Sequence, residues 1–287
     1  MGSGMRIAFC TTADLTGTVI LNAVLPLLAA DEVVVFLSAR KRATDEMVPS
    51  LRHAWFYERS FPMEILFPSL DAAYPDGGGD LLTPRQLARR YGVPMTRVAT
   101  PEDWRGASGI LAFRPDLVVS SRFGFKFPDA LIEAAPGRVL NLHPSALPAY
   151  RGQFPVLRAL AAGETAIGCT LHHVATGFDE GDIALVTSIP VAPGRSNFWH
   201  VLNAYRSGIP LIAEAVRMAR AGEALPRRPQ GPGAPPRGFP DENEIAAAAA
   251  AGWKLVDPAE LDGLLARFRG SEAVPLPAAP PAAATGS

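Results

Sequence analysis

The chain has 287 residues, 48% of them hydrophobic, and a formal net charge of −1. That is enough apolar material for one large domain with a small appendage or for two small domains, and the near-neutral balance argues against a nucleic-acid partner. No apolar run reaches the roughly 18 residues of a membrane span, and the first residues lack the basic-then-apolar layout of a signal peptide.

Gly2 to Gly4 read as a non-native scar with Met5 as the expected natural start, and a cytoplasmic location is the default. In chain order, 7–11 reads as a buried strand, 16–30 as a helix and 33–37 as a second buried strand. Apolar β-branched runs alternating with helices predict a parallel sheet covered on both faces. The alternation fails over about 40–80. That segment holds Trp55, Phe56, Tyr57, Phe61, Phe67 and Tyr74 before Gly77-Gly78-Gly79, and reads as a packing flap or as a substrate cover. A helix over 83–91, a strand over 95–98, a helical stretch near Trp104, a strand over 117–120 and a helix over 128–135 follow. Next come a strand over 138–142, a helix over 154–162, strands over 168–174 and 183–189, and a long helix over 197–221. Beyond it, 226–240 is rich in proline, glycine and arginine and reads as a linker or wrap. An alanine-rich helix over 241–251, a strand-like 254–256 and a helix over 258–268 precede a Pro/Ala/Gly/Ser tail expected to be disordered. The organisation is thus 5–221 as one domain, 222–270 as an extension and 271–287 as tail. Cys10 and Cys169 both sit in apolar runs and read as buried thiols rather than a disulfide framework.

The chemistry concentrates at 141–152. Asn141 and His143 follow an apolar run and are two apart, so on a strand they share a face. An amide donor and a titratable ring aimed at one point suit carbonyl chemistry. Prolines 144 and 148 and the Arg151-Gly152 pair then end regular structure. Downstream, Gly177-Phe178-Asp179-Glu180-Gly181-Asp182 is a tight acidic loop between two strands. Taken alone it reads as a solvated turn. His172 and His173 are adjacent and face opposite sides of a strand, so no metal site is expected. Thr11 to Gly17 follows the first strand without the G-x-G-x-x-G fingerprint, which disfavours a dinucleotide.

Asn141-Leu142-His143-Pro144-Ser145, Leu147-Pro148, Arg151-Gly152, Gly168-Cys169-Thr170-Leu171-His172 and Phe178-Asp179-Glu180-Gly181-Asp182-Ile183 together resemble the formyltransferases that use 10-formyltetrahydrofolate, such as methionyl-tRNA formyltransferase and glycinamide ribonucleotide transformylase. Asp179 lies 36 residues after His143, in keeping with that resemblance. It implies a Rossmann-like open, mainly parallel sheet with helices on both faces and a small C-terminal extension, with the formyl group at the carboxyl ends of the central strands. It also implies three catalytic residues. Asn141 would donate to the tetrahedral oxyanion. His143, as imidazolium, would stabilise the same oxygen or pass a proton. Asp179 would orient His143 and take a proton from the attacking nitrogen. His172 would stand just behind them.

The donor, 10-formyltetrahydrofolate, would be a co-substrate. Phe123, Gly124, Phe125, Lys126 and Phe127 would face the pterin on one side, largely through backbone, and Ala175 and Thr176 on the other. The three phenylalanines read equally well as core. The thin glycine content of 11–17 departs from the phosphate-holding loop of the glycinamide ribonucleotide enzyme. About 60 residues follow Pro226, which reads as too few for the C-terminal barrel of the tRNA-formylating enzymes. The first strand is read at about Ile7, so the regulatory domain that precedes the catalytic one in the formyltetrahydrofolate hydrolases is not expected. The expectation is an N-formyltransferase acting on an amine or hydroxylamine of a small molecule, amino-acid-derived or an amino sugar, in specialised metabolism. The expected partner is that small acceptor, with no nucleic acid and no membrane, and a homodimer is compatible with the sequence. Hydrolysis to formate, tRNA formylation and a non-catalytic folate-binding protein are the alternatives. The insert and Arg237-Gly238-Phe239-Pro240 are the expected acceptor-side walls.

Overall fold

A computed structural model describes residues 4–40, 48–105 and 109–270. The expected tail, 271–287, and the 41–47 part of the insert lie outside the described residues. The strands are β1 (Arg6–Thr12), β2 (Glu32–Ser38), β3 (Met95–Val98), β4 (Leu117–Ser121), β5 (Val139–His143), β6 (Ala166–His173) and β7 (Ile183–Pro190). They form one open sheet in the order β3-β2-β1-β4-β5-β6-β7. Pairing is parallel from β3 to β5 and antiparallel for β6 and β7. The helices are α1 (Leu15–Val24), α2 (Pro49–Trp55), α3 (Phe67–Ala73), α4 (Pro84–Tyr91), α5 (Pro101–Arg105), α6 (Ile110–Phe113), α7 (Asp129–Ala134), α8 (Pro155–Ala161), α9 (Asn197–Arg220), α10 (Glu242–Ala250) and α11 (Pro258–Arg269). The alternation predicts the parallel part of this sheet, and the resemblance implies its open, mainly parallel, Rossmann-like form.

Alternate strand residues bury on opposite faces. Ile7, Phe9, Val35, Val119, Leu140 and Leu142 pack with Ile20 and Val24 of α1 and Ile212 and Val216 of α9. Ala8, Cys10, Val34, Phe36, Val118 and Val139 pack with Trp104, Ile110 and Leu131 on the other side. Burial on both faces is why the strands read as unbroken apolar runs, at about 1.5–3 kcal/mol per large side chain removed from water. Cys10 and Cys169 are buried and unpaired. Among the described residues no helix is long and apolar enough to cross a membrane.

Three elements differ from the sequence reading. The first helix stops at Val24 and continues as a 3-10 turn over Leu25–Leu28, because Pro26 has no N–H for an α-helical bond. The insert is a continuous helical run from α2 to α3 through two π-helical turns, Phe56–Ser60 and Pro62–Leu66. There Phe61 N–H bonds Phe56 O and Phe67 N–H bonds Pro62 O, five residues back. Its Phe61, Leu66, Phe67 and Leu70 join Leu15, Phe198, Leu261, Leu265 and Phe268 in one cluster, so these side chains act as the packing flap. Finally, 254–256 is not a strand. The carbonyls of Lys254 and Leu255 accept the N–H groups of Asn197 and Phe198 at 2.8 and 2.9 Å, satisfying donors that the first turn of α9 leaves free.

Candidate active site

A lateral row of polar side chains crosses three strands. Ser120 on β4, Asn141 on β5 and His172 on β6 are register partners. Leu140 and Leu142 point into the α1/α9 cluster, so Asn141 and His143 share the other face with Val139, as their spacing predicts. The Ser120 hydroxyl donates to Asn141 Oδ1 at 2.7 Å. This turns the amide N–H groups toward His172 Nε2, 3.1 Å away, and Asp179 Oδ1, 3.5 Å away. His172 Nδ1 lies 2.9 Å from the His173 carbonyl. Read as one donor chain, the contacts put the His172 proton on Nδ1 and leave Nε2 to accept from Asn141.

His143 is buried, with Nε2 3.1 Å from the Tyr150 carbonyl. Its Nδ1 therefore faces Asp179 Oδ2, at 3.6 Å. Burial pushes the ring below its ordinary value of 6.5, and His172 adds to the fall; Asp179 and the Tyr150 carbonyl pull the other way without reversing it. The resting ring is neutral at pH 7. Burial pushes the Asp179 carboxyl up, but His143, His172 and the Gly152 N–H outweigh it and hold the group well below the usual carboxylate range. The Gly152 N–H donates to Oδ2 at 2.9 Å and the Asn141 amide reaches Oδ1, so the carboxylate has donors whatever the charge on the rings.

Asp179 has φ 55°, a left-handed conformation that Asp tolerates better than most residues. Gln230 holds this turn, donating from Nε2 to the carbonyls of Asp179 and Gly181 at 2.9 and 2.7 Å. Arg151 in turn donates to Gln230 Oε1. Gly152 and Arg237 form a β-bridge, so the 226–240 wrap lies along this edge of the site. The sequence reading brought out Asn141, His143 and Asp179 but not the work of Ser120, Gly152 or Gln230. Ser120 was legible as the end of a predicted strand, and its role follows only once β4 and β5 are known to be neighbours. Gln230 carried no signal.

The loop after β4 is sorted by side chain. Phe123, Phe125 and Phe127 pack on Trp104 with ring centroids 5.3, 6.5 and 5.4 Å away, so the core reading of these rings describes most of their contacts. Gly124 and Lys126 are exposed. Lys126 Nζ donates to Thr176 O at 3.0 Å and lies 4.9 Å from the Phe178 ring, tying this loop to the one that begins at Ala175 and Thr176. An open cavity of about 360 Å³ borders both, lined by Arg40, Arg105, Gly124, Phe125, Lys126 and Phe178 among others.

At the switch point between β1 and β4, Asp14 caps α1 by accepting the Gly17 N–H at 2.6 Å. Arg122 (φ 58°) donates from Nη2 to Asp14 and to Glu58 of the insert. Thr16 also donates to Glu58, at 3.0 Å. The Asp14 carboxylate thus satisfies one of the free N–H groups at the α1 N-terminus. Burial raises the Glu58 carboxyl against the pull of Arg122.

Comparison with known proteins bears on this arrangement. A family model described as formyl transferase matches residues 95–199, which include Asn141, His143 and Asp179. The chain is 38% identical over 125 residues to methionyl-tRNA formyltransferase of Trichlorobacter lovleyi, covering 42% of this chain and 39% of that protein. It spans about half of the length, or less, of the curated relatives it matches. Among solved structures, glycinamide ribonucleotide transformylase 1 of Symbiobacterium toebii superposes with a TM-score of 0.54 at 23% identity, over 80% of this chain and 95% of that one. The sugar 3N-formyl transferase WlaRD, solved in the presence of dTDP and 5-N-formyl-THF, gives 0.54 at 15% identity, over 87% and 80%. At these identities the two structures attest the fold.

Proposed function

We propose that this chain, which a formyl transferase family model matches over residues 95–199, moves a formyl group from 10-formyltetrahydrofolate to an amine or hydroxylamine of a small molecule. The observation that carries the reading is the convergence of Asn141, His143 and Asp179, with Asp179 Oδ2 3.6 Å from His143 Nδ1. The donor fits the residues present. Exposed Gly124 and Lys126, and the cavity they border with Phe125 and Phe178, offer backbone and flat apolar walls to a heterocycle. When bound, the donor would supply the formyl carbon and a nitrogen leaving group.

The chain's own residues would do the rest. Asn141, held by Ser120, has N–H groups for the oxygen that becomes negative when the acceptor nitrogen attacks, a contribution of about 3 kcal/mol. The Asp179 carboxylate and the neutral His143 ring accept the proton that the attacking nitrogen must lose. That proton returns to the leaving nitrogen. One C–N bond forms, one breaks, and one proton changes nitrogen.

A small acceptor is favoured by the near-neutral chain and by the wrap, whose Gln230 and Arg237 close the Asp179 edge with chain-internal bonds. The test is a screen of amines, hydroxylamines and amino sugars, with methionyl-tRNA alongside, given 10-formyltetrahydrofolate and read by mass. A small molecule gaining a formyl group is expected, with Asp179→Asn reducing turnover by about a thousandfold. Formylation of methionyl-tRNA alone, or rapid formate release without any amine, overturns the acceptor assignment.

A further inference from the structure

The insert meets the end of β4 at a mixed-charge cluster that the fold leaves partly unsatisfied. Arg122 follows β4 directly, and its predecessor Ser121 pairs with Leu142 of β5. Arg122 therefore leaves the same carboxyl edge of the sheet as His143, one strand away, about 5 Å between backbones. Thr12 Oγ1 donates to the Arg122 carbonyl, which ties this turn to the end of β1. The Arg122 Nη2 serves both Asp14 and Glu58, while its Nε is buried without a partner. Tyr205 of α9 connects the cluster to the candidate active site. Its ring lies 5.9 Å from Arg122 Cζ. Burial pushes its hydroxyl up, and the charges of Arg122, Asp179 and Asp14 all act on it as well.

Two atoms of the cluster stay open. Glu58 Oε1 accepts from Arg122 and from Thr16, whereas Oε2 accepts no hydrogen bond among the described residues. Arg122 Nη1 donates none there either. Neither atom is one of the buried polar atoms without a partner, and the two side chains are 24% and 22% exposed, so both atoms face solvent. Arg59, next to Glu58 in sequence, leans on the Trp55 ring at 5.0 Å and forms no ion pair with Glu58 among the described residues. An open carboxylate oxygen beside an open guanidinium nitrogen is the complement of a zwitterion.

We propose that Glu58 and Arg122 hold the head group of an α-amino acid, and that the acceptor is a diamino acid, or its side-chain N-hydroxy derivative, formylated on the side-chain nitrogen. The inference rests on the formyl-transfer reading above and narrows its acceptor. The α-ammonium donates to Glu58 Oε2 and the α-carboxylate accepts from Arg122 Nη1, each a charge-assisted bond in a partly desolvated setting. The acceptor's side chain then runs along the strand edge toward Asp179, which takes the proton from its terminal nitrogen. An amino sugar offers one ammonium, the reacting one, and leaves Glu58 Oε2 without a partner.

The test supplies ornithine and lysine, and the matching side-chain hydroxylamines, with 10-formyltetrahydrofolate. Each amino acid is compared with the diamine that lacks the carboxylate and with the Nα-acetyl form that lacks the α-ammonium. The parent is expected to favour the better amino acid about tenfold in kcat/KM over either reduced form, mostly through KM. In Glu58→Gln the preference over the Nα-acetyl form should fall to about one, and in Arg122→Gln the preference over the diamine. Each preference is a ratio within one protein, so a loss of folded fraction cancels. Equal kcat/KM for all three forms in the parent overturns the head-group site, as does formylation on the α-nitrogen, or formylation of an amino sugar and of no amino acid. Each of these leaves formyl transfer to a small molecule standing. If no amine or hydroxylamine gains a formyl group, both readings fall.

Discussion

Asn141 does its work because two neighbours decide how its amide is turned. Ser120 fixes the oxygen and His172 takes an N–H, so in the proposed reaction the amide would present donors without a search at each turnover. His143 is poised differently. Its Nε2 proton is committed to the Tyr150 carbonyl, and burial keeps Nδ1 bare at neutral pH. If that bare nitrogen is needed, kcat/KM rises with pH through an apparent pKa below 6.5 and falls on the acid side. Stability shifts the same way. The unfolded ring binds the proton more readily, so the ring's contribution is intact above 6.5 and is lost as pH drops through the folded value. A kcat/KM profile over the acid range checks this, and an acid limb unmoved in His143→Gln removes His143 from it. The groups facing the ring are Asp179, His172 and the Tyr150 carbonyl. The pair at 141 and 143 was legible in the sequence because strand geometry alone aligns residues two apart. Their lateral neighbours were not, because contacts across strands depend on strand order.

At the scale of elements, Arg122 joins three that are distant in sequence. It follows β4 directly, neutralises the cap of α1 through Asp14, and reaches Glu58 in the insert. Asp14 is 4% exposed and Glu58 24%, so removing the guanidinium strands two carboxylates in a poorly hydrated pocket. Arg122→Met is expected to cost about 3 kcal/mol of stability, read as a lowered urea midpoint, and adding Glu58→Gln should recover part of it. An unchanged midpoint would mean the cluster is already hydrated. The insert itself was the least legible part of the chain. Pro62 has no N–H for an α-helical bond, yet the chain stays helical through the π-helical turns over Phe56–Ser60 and Pro62–Leu66, with bonds five residues back. The 254–256 segment misled for a related reason. Its apolar, strand-like residues are there to bring carbonyls to the end of α9, a use that local periodicity does not register.

At the scale of the molecule, one cluster links both ends of the chain. Leu15 of α1, Phe61 of the insert, Phe198 of α9 and Phe268 of α11 share it, and Phe268 is 1% exposed. Phe268→Ala should therefore cost about 3–5 kcal/mol and lower a single cooperative melting transition. Two separate transitions, with the first insensitive to the variant, would make the extension an independent unit. Gln230 gives this whole-chain dependence a practical meaning. It lies well past the region that matches the formyl transferase family, yet it clasps both carbonyls of the turn bearing Asp179. A chimera that keeps residues 5–221 and takes its C-terminal segment from a similar formyltransferase would inherit the three side chains proposed to react but lose the clamp that aims one of them. Recombination between such proteins has to carry the 226–240 segment along with the site, or replace its hold on that turn.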